Sequence, residues 1–166
     1  MGLVDRLVRW LWPEPARELE DPDFGPICFE ETWSSRRDAG ATFRDGLRPV
    51  WVDVPGTKRG PSEAARRAYH ELGRRYDELS PGIAALLFDQ FDASFGAYPP
   101  DGVQLPAMAQ PLDILKHAEL TSVWLRLEPD TGEPTIVLAY GFAWDPGHCY
   151  DVTVRRWEAT ALDVHG

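Results

Sequence analysis

Asp145, His148, Cys149 and Asp151 fall within seven consecutive residues and form the densest set of potentially reactive side chains in the chain. A thiol with an imidazole and a carboxylate in reach can act as a nucleophile, and the same donors make half of a metal site. The spacing works against a single centre. His148 and Cys149 are adjacent, so on a strand they point to opposite faces, whereas Cys149 and Asp151 share one. The plainer reading is that Asp145 hydrogen-bonds its own turn, His148 stands at a strand edge and Cys149 is a small buried residue. The expectation is therefore no catalytic residue, no cofactor and no metal ligand, with Asp145, His148, Cys149 and Asp151 kept as the alternative site. Phosphate-loop, dinucleotide, nucleophile-elbow, zinc-protease and paired-cysteine motifs are absent from the sequence. His70 and His117 fall on predicted helices and read as structural.

These four residues belong to the most strand-like run in the sequence. From residue 136 onward both alternating faces are apolar: Ile136, Leu138, Tyr140, Phe142 and Trp144 on one side, and Val137, Ala139, Gly141 and Ala143 on the other. A strand without a polar face is covered on both sides, and the small second set leaves room for a helix to approach. Asp145-Pro146-Gly147 predicts the turn, because proline presets φ and glycine accepts positive φ. Tyr150, Val152 and Val154 then alternate with Asp151, Thr153 and Arg155, the pattern of a return strand with one buried face.

A chain of 166 residues with 43% hydrophobic and 27% charged residues predicts one ordinary domain with a core of its own. The formal net charge of −10 argues against nucleic acid or an anionic membrane as the main partner, since both require a basic surface. The same charge suits a basic protein partner. Nothing in the sequence reads as a signal peptide or a bilayer-spanning run, so the expected location is cytoplasmic, with Cys28 and Cys149 as free thiols; their pairing is not readable from sequence.

In chain order, residues 1–12 are amphipathic at helical spacing (Leu3, Val4, Leu7, Val8, Leu11), with Trp10 and Trp12 at the end. They predict a docked helix, or alternatively a peripheral membrane contact. Residues 13–23 are rich in proline and acid and read as a linker, so the division is 1–22 for helix and linker and 23–166 for a single domain. Short strands are predicted at 24–30, 32–37, 41–44 and 50–54, the last with Val50, Val52 and Val54 on one face and Trp51 and Asp53 on the other. Ser62 predicts a helix N-cap, with Ala65, Tyr69, Leu72, Tyr76 and Leu79 as the buried stripe, Glu63–Arg67 and Glu71–Arg75 as surface pairs, and the arginine cluster on the solvated face. Ser80-Pro81 predicts a second helix bearing Ile83, Leu86, Leu87, Phe91 and Phe95. A loop over 96–109, a short third helix over 110–117 and a strand in which Val123, Leu125 and Leu127 alternate with Trp124, Arg126 and Glu128 follow.

Asp21-Pro22-Asp23-Phe24-Gly25 followed by Trp33, the middle from Tyr69 to Leu87, and the closing run from Phe142 through Trp144-Asp145 to His148 resemble a family of uncharacterised bacterial domains, over about residues 21–157. The resemblance implies a compact α+β domain and lends no activity and no catalytic residue.

The predicted fold is α+β: an antiparallel sheet built from N- and C-terminal meanders, with a central helical hairpin packed on it. The predicted function is a non-enzymatic, acidic, protein-binding domain, with neutralisation of a basic toxin as its specific form. The competing classes are a metal-binding or thiol-dependent enzyme using His148, Cys149 and Asp151, and a peripheral membrane protein held by residues 1–12. Oligomeric state is not readable from the sequence.

Overall fold

The computed structural model describes residues 17–35, 43, 49–96, 102 and 104–166. The predicted helix at 1–12 and the predicted strand at 41–44, apart from Phe43, lie outside these residues. Among them an eight-stranded sheet dominates, in the order β1 (Arg17–Asp21), β2 (Gly25–Phe29), β3 (Trp33–Ser35), β4 (Trp51–Val54), β7 (Ala118–Leu127), β8 (Pro134–Phe142), β9 (Asp145–Arg155) and β10 (Glu158–His165). A two-stranded ribbon, β5 (Gly56–Thr57) with β6 (Gly60–Pro61), leads into the long helix α1 (Glu63–Phe91).

Two antiparallel meanders are present, but the sheet they form is mixed, which corrects the antiparallel sheet expected. β1 to β4 and β7 to β10 are each antiparallel, and the two halves join through a parallel pairing of β4 with β7. Parallel neighbours need a long crossover, which α1 supplies. β1 is a correction: residues 17–21, expected as linker, pair with β2 as an edge strand. In Arg-Glu-Leu-Glu-Asp the acids obscure a period of two, in which Leu19 faces the core and Glu18 and Glu20 face solvent.

The central helical hairpin is also a correction, because both predicted helices are one continuous helix of 29 residues. Pro81 removes a backbone donor within it, a change that ordinarily breaks a helix. Ser80 does not cap a new helix; its hydroxyl donates to the Tyr76 carbonyl at 2.8 Å. Leu72, Leu79, Ile83 and Leu87 stay in phase across the proline and are all buried on one sheet, so packing holds the helix through it. The Ser62 cap is as predicted, its side chain accepting from the Ala65 amide at 3.1 Å. The Glu71–Arg75 pair forms, while Glu63 lies 3.8 Å from Arg66 instead of pairing with Arg67.

α1 lies on the face that carries Ile136, Leu138 and Tyr140, and the Tyr76 and Tyr140 hydroxyls are 2.7 Å apart. The small-residue face of β8, where a helix was expected, points away from α1. The large side chains of Val52, Val123, Leu125, Leu138 and Val152 fill the space under the aromatic stripe of the helix, and that burial decides the side. The third helix appears as a short 3-10 turn over Pro111–Lys116, with Ile114 in the core.

Candidate functional site

The hairpin turn is Ala143-Trp144, two residues before the predicted one, with Phe142 paired to Asp145. Trp144 is half-buried in that turn, stacked on Phe142 with ring centres 4.6 Å apart and edge-on to Phe91 at 5.6 Å. These contacts set the turn. Pro146 has no amide to give to β8, and the register between the two strands shifts in the interval that contains it.

The four predicted residues divide into two groups. Asp145 holds His148 and Tyr150: the His148 Nδ1 is 2.7 Å from one carboxylate oxygen, and the Tyr150 hydroxyl donates to the other. Burial pushes the Asp145 carboxyl up, but these two partners outweigh it and leave the group below its ordinary value. Tyr150 is pushed up by burial and by the carboxylate it bonds. Tyr150 is buried and His148 is exposed, so only the imidazole end of this chain of groups faces solvent. Its evident work is to tie the turn to β9.

Cys149 and Asp151 form the second group on the opposite sheet face, with the thiol donating to the carboxylate at 3.4 Å. His165, the register partner of Cys149 on β10, brings Nε2 to 3.4 Å from the other oxygen of Asp151. The order is thiol, carboxylate, imidazole. Activation of a cysteine by an imidazole needs the ring next to the sulfur. Here burial and the Asp151 charge push the thiol up instead, so it stays protonated at neutral pH. Alkylation of Cys149 by iodoacetamide at pH 7.4 is therefore expected to run no faster than that of free cysteine, and faster labelling would restore the thiol-enzyme reading. Among the described residues no group of three or more His, Cys, Asp and Glu is placed to hold a metal ion. Cys28 and Cys149 sit on β2 and β9, five strand spacings apart, about 24 Å at the usual spacing, too far for a disulfide.

The sheet face away from α1 is the larger feature. Register carries one row across it: Glu18, Cys28, Ser34, Asp53, Trp124, Val137, Thr153 and Ala161. A second row runs Trp51, Ser122, Ala139, Asp151 and Asp163. The rows are paved with small residues, and no described helix covers them. At the parallel seam Trp51 and Trp124 meet edge-to-face with centres 6.5 Å apart. Asp53, 8% exposed, accepts from the Thr32 hydroxyl at 2.7 Å, the Ser34 hydroxyl at 2.9 Å and the Arg126 guanidinium at 2.5 Å. This network joins β3, β4 and β7. Glu18, Glu20, Glu119 and Asp163 are exposed on or beside the face, and with Asp53 and Asp151 these carboxylates outnumber Arg126 and Arg155 among the residues of these rows and their neighbours.

The sequence also matches the family model described as Domain of unknown function (DUF6985), over residues 23–164. The chain belongs to this family. The match takes in Asp145, His148, Cys149, Tyr150 and Asp151, the seam network and every strand from β2 to β9, and stops one residue short of His165. No curated protein and no solved structure matches the chain. No described helix is long and apolar enough to cross a membrane.

Sequence reasoning missed Tyr150 as a partner of Asp145, His165 as a partner of Asp151, and the joining of Asp53 to Arg126. The alternation of 50–54 already put Trp51 and Asp53 opposite the valines, and that of 123–128 put Trp124 and Arg126 together. Only the parallel pairing of the two strands makes them neighbours, and no local pattern encodes it.

Proposed function

We propose that this member of the DUF6985 family is a non-enzymatic protein-binding domain that presents the sheet face opposite α1 to a basic protein partner. Neutralising a basic toxin is the specific form of this role. The observation that carries the reading is the face itself. It is paved largely with small residues, centred on the half-buried Trp51–Trp124 pair and edged by Glu18, Glu20, Glu119 and Asp163. Aromatic anchors within a polar rim are the usual composition of a protein interface. The formal net charge of −10 selects a partner of opposite sign. The raised Cys149 thiol and the order of groups around Asp151 favour binding over thiol chemistry.

The test is kinetic, with a basic protein encoded beside this chain as the first partner to try. Its association rate is expected to fall about tenfold or more as ionic strength rises from 10 to 150 mM, because screening shortens the reach of the acidic face. A rate independent of salt would remove the electrostatic basis of the proposal.

A further inference from the structure

The first turns of α1 carry more positive charge than they neutralise. Arg74 and Arg75 both bond the Glu71 carboxylate, so two guanidinium groups share one negative charge, and Glu78 also attracts Arg75. Arg67 is exposed and forms no ion pair or hydrogen bond among the described residues. The chain as a whole carries a net charge of −10, so this surplus is local and opposite in sign to its setting.

The surplus borders a cavity of about 400 Å³ between α1, the end of β7, the β7–β8 turn and the β9–β10 turn. Its volume lies within the range of small-molecule sites. The helix contributes Arg67, Glu71 and Arg74 to the lining, and the sheet contributes Leu127, Pro134 and Trp157. Glu133, next to Pro134, lies 3.6 Å from Arg156, so its charge is met there. His70 also lines the cavity, with its ring 3.0 Å from Asp23.

Trp157 supplies an independent observation. Arg155 pairs with Glu158, so Arg156-Trp157 is a two-residue hairpin turn, with φ of 51° and 63°. Asn-Gly is the favoured pair for a turn with both central residues at positive φ. A bulky aromatic in that region is strained. The turn by itself therefore does not account for the tryptophan, and strain retained at such a position is a feature of ligand clamps. What the strain achieves is placement. The half-buried indole forms part of the cavity wall, with the Arg75 guanidinium over its ring, 5.2 Å from the centre.

We propose that this cavity binds a small organic oxyanion, a carboxylate or phosphate head on a flat apolar body. The head meets Arg67 and Arg74, since a guanidinium fork matches two oxygens at once. The body lies against Trp157, Leu127 and Pro134. The site is on the helix side and apart from the acidic face, so its failure leaves the binding reading above intact.

The experiment is titration calorimetry of the full chain with naphthylacetate and naphthyl phosphate, with neutral naphthylacetamide and cationic naphthylmethylamine as controls. Single-site saturation by an anion is expected, with the amide at least about tenfold weaker and the amine weaker still, because the charged hydrogen bonds to the head are lost. Arg67→Gln is expected to weaken anion binding about tenfold for the same reason. Arg67 has no partner to lose among the described residues, so this variant is expected to melt at the parent temperature, and weaker binding is not confused with unfolding. Trp157→Gly, which suits the turn but removes the indole, is expected to weaken binding about tenfold as well; should it fail to fold, Arg67→Gln carries the test alone. Saturation by naphthylacetate supports the proposal with a carboxylate as sufficient head, and saturation by naphthyl phosphate alone supports it with a phosphate as the head required. Absence of saturable binding by both anions, an amide or amine that binds as tightly as the acid, or an Arg67→Gln variant that binds as tightly as the parent would overturn it.

Discussion

Arg66→Met is expected to destabilise the fold by about 3–5 kcal/mol, the usual cost of removing one partner from a buried ion pair. The Asp21 side chain is 1% exposed and Arg66 19%, and the guanidinium bonds both oxygens of Asp21, at 2.8 and 2.5 Å, and Asp23 at 2.7 Å. Asp21 also accepts from the Asp23 and Phe24 amides, so it shapes the β1–β2 turn while Arg66 fixes that turn to α1. Burial pushes the Asp21 carboxyl up, but Arg66 and the two amides outweigh it and hold it below its ordinary value. A carboxylate lowered on folding contributes stability above its unfolded pKa, near 4, and that stability is lost as pH falls through the folded value. The parent is therefore expected to weaken on acidification below about pH 4. In Arg66→Met only the two amides oppose burial, so Asp21 is held down less and its contribution to the pH dependence weakens. The difference in urea-unfolding stability between the two proteins is expected to shrink from pH 7 to pH 3, and a constant difference would show that the pair carries no such linkage.

Trp33→Ala is expected to cost about 3–5 kcal/mol, the range for emptying a buried Trp site. The ring is 2% exposed, packs against Phe29 at 5.2 Å, and donates from Nε1 to the Thr57 carbonyl at 2.8 Å. It also explains Gly56, where an added Cβ would stand 2.8 Å from Trp33 Cδ1 and 2.4 Å from the Gly60 carbonyl. The ribbon β5–β6 thus closes on the indole, and truncation leaves both a cavity and an unpaired carbonyl. Trp33→Phe, which keeps most of the volume and loses the bond, is expected to cost about 1–2 kcal/mol. Equal losses for the two variants in equilibrium unfolding would show that the hydrogen bond, not the volume, holds the ribbon.

Much of this fold was legible because strands and helix announce themselves by period. Val50, Val52 and Val54, or Tyr150, Val152 and Val154, can bury one face in only one way, and Ser62 caps the helix where its side chain said it would. What was not legible depended on partners distant in sequence. Pro81 and Ser80 read locally as a helix start, and only a shared sheet beneath both halves keeps α1 continuous. Arg66 read as one of a solvated cluster; its partner Asp21 lies 45 residues away in a stretch that looked like linker. The hairpin group was legible as a set of residues but not as an arrangement, because Tyr150, His165 and the early turn at Trp144 together decide which groups meet. The acidic face follows from the parallel seam between β4 and β7, which joins two strands separated by the whole of α1.

The central claim is that one face of the sheet, and not the helix side, receives a basic partner. Charge reversal separates the two. A variant carrying Glu119→Lys and Asp163→Lys is to be compared with one carrying Glu78→Lys and Asp89→Lys on α1, by stopped-flow association with the basic partner at low ionic strength. Both variants change net charge equally. The account predicts that the sheet-face variant associates about tenfold more slowly than the parent while the helix variant stays within about twofold. Equal slowing by both, or greater slowing by the helix variant, would contradict it.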